Sequence, residues 1–405
     1  MLRAGIPRVR RGAPTAWGSL AVQGDPWLDD LVICPHCHRT FPGLDFCPHD
    51  GRRLSTQPRL SLLDWKDTPL TGHQLKDRYL ILGLIGEGAM ASIYAAEDLT
   101  TGEPVAVKIL RVAGNQSRHR ERFFHEVLAA AAIGHPNIIQ VLDVGETSDR
   151  TPFLVMEFLR GETLGDRIRR EGKLSPEAIL PLFLQITSAL VAAHKKGIIH
   201  RDLKPDNLFL VGAPGEAYQA KVVDFGLAKS TFRLTAVGTA VGTAAYMAPE
   251  QALTDPVDAR TDVYALGIVL CRVFSGRLPF ESADATELLA RQIILPPILP
   301  FPDPRVEFVD DPEQQPDPSL VIRARLGLVI RKARRKNPAH RYASVEALQA
   351  DLERVLGRCD GVLEARTPLE GEDIYLPAGP FSRSVLPQFY KMLGVPLPSS
   401  LALPE

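Results

Sequence analysis

A glycine-rich segment of the sequence could close over phosphate groups. Residues 79–85 have the composition of a β-strand, and they run into Gly86-Glu-Gly88-Ala-Met-Ala91 and then a second strand-like run. Glycine has no side chain, so Gly86 and Gly88 allow the backbone to approach a phosphate closely. Ala91 stands where a third glycine would complete a dinucleotide-binding fingerprint, and a strand rather than a helix follows, which argues against a Rossmann site. The segment therefore predicts a β-hairpin that covers nucleotide phosphates.

A lysine in the next predicted strand could reach the same phosphates. The run Val105-Ala-Val-Lys108-Ile alternates as a β-strand does, and it places Lys108 on the opposite face from its neighbours. Glu126 follows in a segment with helical character. A Lys108–Glu126 ion pair would aim the ammonium group at phosphate oxygens, although either residue alone is more typical of a charged surface.

Three motifs follow these elements in a fixed order. They are His200-Arg-Asp202-Leu-Lys204-Pro-Asp-Asn207, then Asp224-Phe225-Gly226, then Ala248-Pro249-Glu250. Together with the glycine loop, the strand lysine and the helix glutamate, this order resembles the eukaryotic-type (Hanks-type) protein kinases, over about 280 residues. The resemblance implies an α+β fold with two lobes, in which a β-rich N-lobe precedes a helical C-lobe.

The resemblance also implies how each motif acts in phosphoryl transfer, which depends mainly on positioning and charge neutralisation. Asp202 is expected to accept or orient the proton of the substrate hydroxyl. Lys204 is expected to stabilise the transferred γ-phosphoryl group. Asn207 and Asp224 are expected to carry the Mg²⁺ (or Mn²⁺) ions that bridge the phosphates of ATP.

The same resemblance assigns the nucleotide pocket. Lys108 is expected to hold the α- and β-phosphates, with Glu126 fixing its position. Adenine is expected to hydrogen-bond to the backbone of Glu157 and Leu159, just after Met156, which gates the pocket behind the base. The remaining expected contacts with ATP are Gly86, Gly88, Ile93 and Ala106, the last as part of an apolar ceiling.

Other residues of the family pattern are expected to hold the C-lobe together or to set its specificity. Glu250 is expected to pair with Arg341, and Asp262 to cap the catalytic loop from a central helix. The run Lys204-Pro-Asp-Asn207 resembles the Ser/Thr-specific kinases, as does Thr243, which is expected near Asp202 and Lys204. The expected activity is therefore transfer of the γ-phosphate of ATP to Ser or Thr hydroxyls of proteins, with autophosphorylation.

Regulation by phosphorylation is suggested by Arg201, whose positive charge stands beside the catalytic base. A phosphate on the following loop could match that charge. Thr235 and Thr239 are the preferred acceptors, ahead of Ser230 and Thr231. Each of these hydroxyls could equally be an ordinary loop residue.

Residues 31–54 predict a small metal module. Two cysteines spaced C-x2-C precede a second turn of the type Cys-Pro-His-Asp-Gly, which resembles half of a zinc ribbon. The expected Zn²⁺ ligands are Cys34, Cys37, Cys47 and Asp50, with His49 as the alternative fourth ligand. A segment this small has almost no core, so the ion would be structural, and the module could recruit a protein partner.

The organisation expected along the chain has five parts. They are a disordered basic arm (1–30), the zinc-ribbon-like module (31–54), a linker (55–78), the kinase domain (79–357) and a proline-rich tail (358–405) that is irregular except for a short helix near 387–393. Within the kinase domain, residues 281–320 are expected to form an inserted proline-rich surface loop, which could serve either for docking or as a disordered spacer.

Composition excludes several classes of protein. The 405 residues are 45% hydrophobic and 23% charged, with a net charge of −1, so wholesale disorder and a global attraction to nucleic acid are excluded. The apolar stretches are too short and interrupted to predict a membrane span, and we expect a cytoplasmic location. The alternative function is a pseudokinase or scaffold that binds nucleotide without turnover, but Lys108, Asp202 and Asp224 are all present, which argues against it.

Overall fold

The computed structural model describes most of the chain between residues 70 and 398. The described residues are 31–33, 40–42, 68, 70–88, 91–110, 124, 127, 129–212, 217–225, 241–295, 318–358, 363–366, 373–378, 380–398 and 401. They divide into two units, Met1–Asn115 with Val141–Glu162, and Gln116–Gln140 with Thr163–Glu405.

The first unit is built on an antiparallel sheet of six strands. Ahead of it, two short strands pair with each other, β1 (Leu31–Ile33) and β2 (Thr40–Pro42). The sheet has the order β3-β4-β5-β6-β8-β7. Its strands are β3 (Gln74–Leu75), β4 (Tyr79–Glu87), β5 (Ala91–Asp98), β6 (Glu103–Leu110), β7 (Val141–Glu146) and β8 (Pro152–Glu157).

One face of this sheet carries the core of the first unit. Alternate residues of β5, β6 and β8, such as Tyr94, Val107 and Val155, pack with Tyr79 and Ile81 of β4. Because side chains of a strand alternate between faces, Ala106 and Lys108 lie on the other face. The predicted alternation around Lys108 is therefore confirmed.

The second unit is mainly helical. A short strand, β9 (Gly161–Thr163), leads to it, and β10 (Leu208–Val211) pairs with β11 (Gln219–Val222) as an antiparallel hairpin. Its helices are α1 (Leu164–Glu171), α2 (Pro176–Lys195), α3 (Val241–Ala244), α4 (Pro249–Ala252), α5 (Ala259–Ser275), α6 (Ala285–Ile294), α7 (Pro318–Ala333), α8 (Val345–Val355) and α9 (Pro380–Met392).

The two central helices begin and end at residues suited to those positions. The Ser175 side chain accepts from the Ala178 amide at the start of α2, and Asp258 caps α5 in the same way at Arg260. Gly276 ends α5 with a φ of 73°, a conformation that favours glycine. Both helices are largely buried, α2 against α8 and β11 and α5 against α7 and α8. They form the frame that holds the loops of the second unit.

Helix α2 is the one described helix long and apolar enough to cross a membrane. Of its most apolar 18-residue window, 61% is buried inside the unit. A core helix passes the same test of length and composition, so the finding is weak support for a membrane span.

Two expectations about irregular segments are corrected by the structure. Residues 281–320 are not one long loop, because α6 (Ala285–Ile294) lies near their start and α7 begins at Pro318. Asp284 caps α6 by accepting from the Glu287 amide, and Leu288, Leu289 and Ile293 on one face of it are buried. The prolines around this short amphipathic helix led the sequence analysis to predict a loop instead. Residues 296–317 lie outside the described residues.

The tail is also more regular than expected. Helix α9 begins at Pro380 rather than near 387, and Glu364–Arg366 form a 3₁₀ turn. The sequence predicts only a short helix near 387–393, but packing of the whole amphipathic segment stabilises the longer helix. At the other end, the sheet begins before residue 79, since Gln74–Leu75 pair with β4 and Leu75 is buried.

Candidate active site

The first unit gathers predicted nucleotide-binding residues on one face of its sheet. Gly86 of β4 lies opposite Ile93 of β5, and Ile93 lies opposite Lys108 of β6. Ala106, two residues before Lys108, lies opposite Met156 of β8. Residues directly opposite in an antiparallel pair share a face, so these side chains form one surface. Ala106 and Met156 are buried, while Lys108 is partly exposed.

The glycine-rich turn is described on both sides of its tip. The Gly88 amide donates to the Ala91 carbonyl at 2.9 Å, which closes the hairpin, and residues 89–90 lie outside the described residues. Glu157 ends β8 and Leu159 follows it, with its side chain 8% exposed. Glu126 also lies outside the described residues, so the Lys108–Glu126 pair stays a prediction. Its neighbours Phe124 and Val127 are helical, in agreement with the expected helix.

The second unit fixes the loop that carries Asp202 through one buried carboxylate. Asp262 of α5 is fully buried and accepts from the amides of His200 (2.8 Å) and Arg201 (2.9 Å). The Nε2 of His194, at the end of α2, lies 2.8 Å from the same carboxylate. The predicted cap from the central helix is confirmed. It holds Arg201 at a φ of 62°, a strained conformation for a residue with a side chain.

His200 orients the next residues with both nitrogens of its ring. Its Nδ1 lies 3.2 Å from the Asp202 amide and its Nε2 lies 3.0 Å from the Val223 carbonyl. An amide can only donate and a carbonyl can only accept, so the ring is neutral with its proton on Nε2. Burial lowers the pKa of His200 below 6.5, which favours this neutral form. Phe225 packs on the ring, with 4.8 Å between centroids.

The polar side chains of the loop converge around Asp202. The Asn207 amide nitrogen donates to the Asp202 carbonyl at 2.7 Å and lies 3.3 Å from its carboxylate. The Lys204 ammonium lies 3.6 Å from that carboxylate and 3.3 Å from the Thr243 hydroxyl. The expected placement of Thr243 beside Lys204 is confirmed. The side chains of Asp202 and Lys204 are 19% and 23% exposed, so a substrate can reach them.

Asp224 is positioned by the β10–β11 hairpin. Leu208 pairs with Val222, and the Val223 amide donates to the Asn207 carbonyl at 3.0 Å, so Asp224 follows directly from an anchored backbone. Its φ is 57°. The nitrogen of the Asn207 side chain is engaged with Asp202, which leaves its oxygen as an acceptor. An amide oxygen and a carboxylate are ligands that Mg²⁺ prefers, so the residues present fit the expected ion.

The segment after the Asp224 motif is anchored deep in the second unit. Glu250 of α4 forms a bidentate ion pair with Arg341, at 2.6 and 2.8 Å, and accepts from the Thr261 hydroxyl at 2.8 Å. This predicted pair is confirmed. Gln251, which the sequence analysis missed, donates to the Arg201 carbonyl at 2.8 Å and so connects α4 to the loop that carries Asp202. A lone glutamine gives no sequence signal for such a role.

The remaining predicted residues lie outside the described part of the chain. They are Cys34, Cys37, Cys47, His49 and Asp50 of the zinc module, and Ser230, Thr231, Thr235 and Thr239 of the loop. Among the described residues, no group of three or more His, Cys, Asp or Glu could hold a metal ion. Zinc therefore stays a prediction.

The comparisons with known proteins agree with the motifs and the geometry. Residues 79–352 match the family model of the protein kinase domain, and the chain belongs to this family. It is 38% identical over 308 residues to the probable serine/threonine-protein kinase CE0033 of Corynebacterium efficiens, covering 74% of this chain and 44% of that protein. It is 37% identical to the serine/threonine-protein kinase PknB of Mycobacterium tuberculosis, covering 70% and 44%.

A third relative and a solved structure give the same result. The serine/threonine-protein kinase PrkC of Bacillus subtilis is 35% identical, covering 70% of this chain and 41% of that protein. A crystal structure of a double mutant of the PknI kinase domain of M. tuberculosis matches with a TM-score of 0.54 and 24% identity, covering 71% of this chain and 99% of that one, and this likeness shows the two-lobed kinase fold. The chain thus spans less than half the length of these curated relatives.

Proposed function

We propose that this chain is an active serine/threonine protein kinase that uses Mg-ATP. The observation that carries the proposal is the convergence of Lys204 and Asn207 on Asp202, in a loop fixed by a buried carboxylate of α5. Asp202 would receive the proton of a Ser or Thr hydroxyl. Lys204 and Thr243 would border the transferred phosphoryl group on the substrate side.

The first unit would bind the nucleotide. The face with Gly86, Ile93, Ala106 and Lys108 supplies an apolar surface for adenine and a cation for the phosphates. Asn207 and Asp224 would hold Mg²⁺, which neutralises charge on the phosphates. The backbone of Glu157 and Leu159 would hydrogen-bond to the base, and Glu126 would orient Lys108.

The test is phosphoryl transfer from γ-labelled ATP by the purified chain, with Asp202→Asn as the inactive variant. A matched control is Asp206→Asn, which removes the same charge from the same loop. Asp206 faces Arg169 at 3.2 Å rather than the Asp202 carboxylate. We expect label on Ser or Thr in the wild type and in Asp206→Asn only. Bound ATP without label in any of the three proteins would favour the scaffold.

We propose that a phosphate on Thr235 or Thr239 adjusts this activity. The Nε of Arg201 is buried and has no hydrogen-bond partner among the described residues. A phosphate is a strong acceptor for a guanidinium group, so it would satisfy this donor. Mass spectrometry of the labelled wild type would locate the site. If Thr235→Ala, Thr239→Ala is as active as the wild type, this form of regulation is wrong.

We propose that the N-terminal module binds one structural Zn²⁺ through Cys34, Cys37, Cys47 and either Asp50 or His49. The support is that β1 and β2 pair as a hairpin, and Cys34 and Cys37 fall in the sequence that connects them. The module would serve as a site for a protein partner. Metal analysis of Cys34→Ser, Cys37→Ser should show loss of zinc, while the matched control Cys359→Ser should retain it. Equal zinc in all proteins would contradict the assignment.

We also propose a cytoplasmic location, because ATP is the substrate. Cell fractionation followed by detection of the chain would test it. Recovery in the membrane fraction would contradict it.

A further inference from the structure

The kinase family match ends at residue 352, yet the chain continues as a folded segment of the second unit. We infer that residues 373–378 and 380–398, named here the C-terminal clamp, are a positioning element for the substrate side of the active site. The clamp holds α6 and the turn after α4, and through them it fixes the 241–247 segment beside Lys204. The inference rests on the proposed kinase activity.

The clamp attaches first to a buried carboxylate, that of Asp255, which is 7% exposed. Tyr375 donates its hydroxyl to Asp255 at 2.6 Å, and Ser382 donates its hydroxyl at 2.9 Å. The Ala378 amide donates at 3.1 Å. Without the clamp, Asp255 would lose these three donors, and a buried carboxylate without donors is strongly unfavourable. Asp255, a residue inside the kinase domain, therefore depends on the clamp for its described hydrogen-bond donors.

Asp255, where the clamp attaches, lies next to the buried Glu250–Arg341 ion pair. The Asp255 amide donates to the Glu250 carbonyl at 2.8 Å, and Glu250 is the residue paired with Arg341. The turn after α4 is thus held on one side by the Glu250–Arg341 ion pair and on the other by the clamp. Movement of the clamp would be transmitted directly to this turn.

An apolar contact forms the second attachment. Leu386, Phe389 and Tyr390 of α9 are 2%, 6% and 5% exposed, and their spacing of three and four residues places them on one face. They share a single apolar cluster with Leu289 and Ile293 of α6. The same cluster includes Ala244, Ala245 and Met247 of the segment that follows Thr243. The clamp and that segment therefore have a common core.

Helix α6 passes this constraint to the active site through one side chain. The amide nitrogen of Gln292 donates to the Ala244 carbonyl, and its oxygen accepts from the Tyr264 hydroxyl at 3.3 Å. Ala244 follows Thr243, whose hydroxyl lies 3.3 Å from the Lys204 ammonium. A shift of α6 would move the Ala244 carbonyl and with it Thr243.

The start of the clamp supports the same helix from the other side. Asp373 accepts from the Lys336 amide at 2.9 and 3.0 Å and from the Asn337 amide at 3.3 Å. The buried Nζ of Lys336 donates to the Gln292 carbonyl and lies 4.6 Å from the centre of the Phe280 ring. The start of the clamp is thus linked to Gln292 through Lys336, and α9 packs against the same helix, α6.

A second role for such a segment would be to cover the active site and inhibit it. The geometry favours positioning, because Asp202 and Lys204 keep 19% and 23% of their side chains exposed with the clamp in place. The clamp contacts that the structure describes are with Asp255 and with the buried apolar cluster that includes Ala244 and Met247. Removing it should therefore weaken substrate binding instead of enhancing it.

The test uses the full chain with Tyr375→Phe, Ser382→Ala, which removes two of the three donors to Asp255 and leaves the apolar contact intact. The matched control is Arg383→Ala, Gln388→Ala, on the exposed face of α9. Initial rates with a Ser/Thr substrate peptide give kcat and KM. Hydrogen exchange of residues 244–253 reports the local order of the segment without requiring catalysis.

We expect the KM for the peptide to rise by about threefold or more, with the KM for ATP unchanged and faster exchange at 244–253. The control should match the wild type in all three measurements. Unchanged peptide KM and unchanged exchange would overturn the inference, and so would a fall in KM, which would make the clamp an inhibitory cover. If the wild type transfers no phosphate, the proposed function fails, and the exchange data alone still decide whether the clamp orders the segment.

Discussion

Replacement of Arg341 by methionine is the strongest test of how the second unit is held together. Arg341 is 3% exposed and donates all five N–H groups of its guanidinium. Its Nη atoms donate to Glu250, and both also donate to backbone carbonyls, of Arg260 at 3.0 Å and Lys336 at 2.9 Å. Its Nε donates to the Arg335 carbonyl at 2.8 Å.

The cost of the change follows from what these partners lose. In Arg341→Met the Glu250 carboxylate, 3% exposed, keeps a hydrogen bond only from Thr261 among its described partners. Three carbonyls also lose their donor. Breaking a buried ion pair by removing one partner costs about 3–5 kcal/mol, because a buried charge is left uncompensated. Such a cost is a large share of the ~5–15 kcal/mol of a whole domain.

A double variant separates the buried charge from the lost packing. Glu250→Leu, Arg341→Met removes both charges, so we expect it to be more stable than Arg341→Met alone. The matched surface control is Arg291→Met, whose ion pair with Glu287 is 39% and 36% exposed on its two sides. Removing an exposed pair should change stability by less than about 1 kcal/mol.

The measurement is urea unfolding followed by circular dichroism, with hydrogen exchange of residues 248–262 as a local probe. The local probe is needed because a chain with two units can depart from two-state unfolding. A loss of less than about 1 kcal/mol in Arg341→Met would refute the reasoning. A double variant less stable than the single variant would refute the role given to the buried charge.

Three further predictions concern pH, substrate contact and packing. Burial lowers the pKa of His200 below 6.5, so its contribution to stability is fully present above pH 6.5 and is lost as the pH falls through the lowered pKa. The free energy of unfolding should therefore fall more steeply below pH 6.5 in the wild type than in His200→Gln, by up to about 1.4 kcal/mol per pH unit. Equal slopes in the two proteins would contradict this. Thr243→Val removes the hydroxyl beside Lys204 and should lower kcat for a peptide substrate, whereas Thr243→Ser keeps a hydroxyl and should keep the wild-type kcat. Equal kcat values for the two variants would argue against a role for the contact between Thr243 and Lys204. Gly267→Ala should destabilise the unit by about 1–3 kcal/mol in urea unfolding, because its Cβ would lie 2.9 Å from that of Ala333. Gly242→Ala, with open space around it, should be neutral.

The sequence could predict those parts of the site whose residues stand in motifs. Lys108 was placed on the correct face by strand alternation alone, which the packing of Val107 on the opposite face confirms. The Glu250–Arg341 pair and the cap by Asp262 followed from the family resemblance, and both are present. These residues were predictable because the family pattern pairs each motif with a particular partner, even where the two are far apart in the sequence.

The parts that escaped prediction depend on tertiary packing. Helix α6 and helix α9 lie in or beside proline-rich sequence, which predicts a loop in place of α6 and only a shorter helix near 387–393 in place of α9. Each helix is amphipathic and is stabilised by burial against the other, which a local sequence window does not reveal. Gln251 and Gln292 are single amides whose roles arise from the backbone carbonyls they meet, so no pattern marks them in advance.

Three buried carboxylates in the α4–α5 region explain why the active-site loops hold their shape. Asp262 accepts hydrogen bonds from the backbone of the loop that carries Asp202, and Glu250 forms an ion pair with Arg341. Asp255 accepts hydrogen bonds from the C-terminal clamp. Each takes donors from a segment distant in sequence, so carboxylates placed in one short region order loops that have little regular structure of their own. Two of these carboxylates have partners within the kinase family match, and Asp255 has its partners beyond residue 352. The second unit therefore extends beyond the family match, and the donors that Asp255 receives from Tyr375, Ala378 and Ser382 are the basis for the positioning role inferred for that segment.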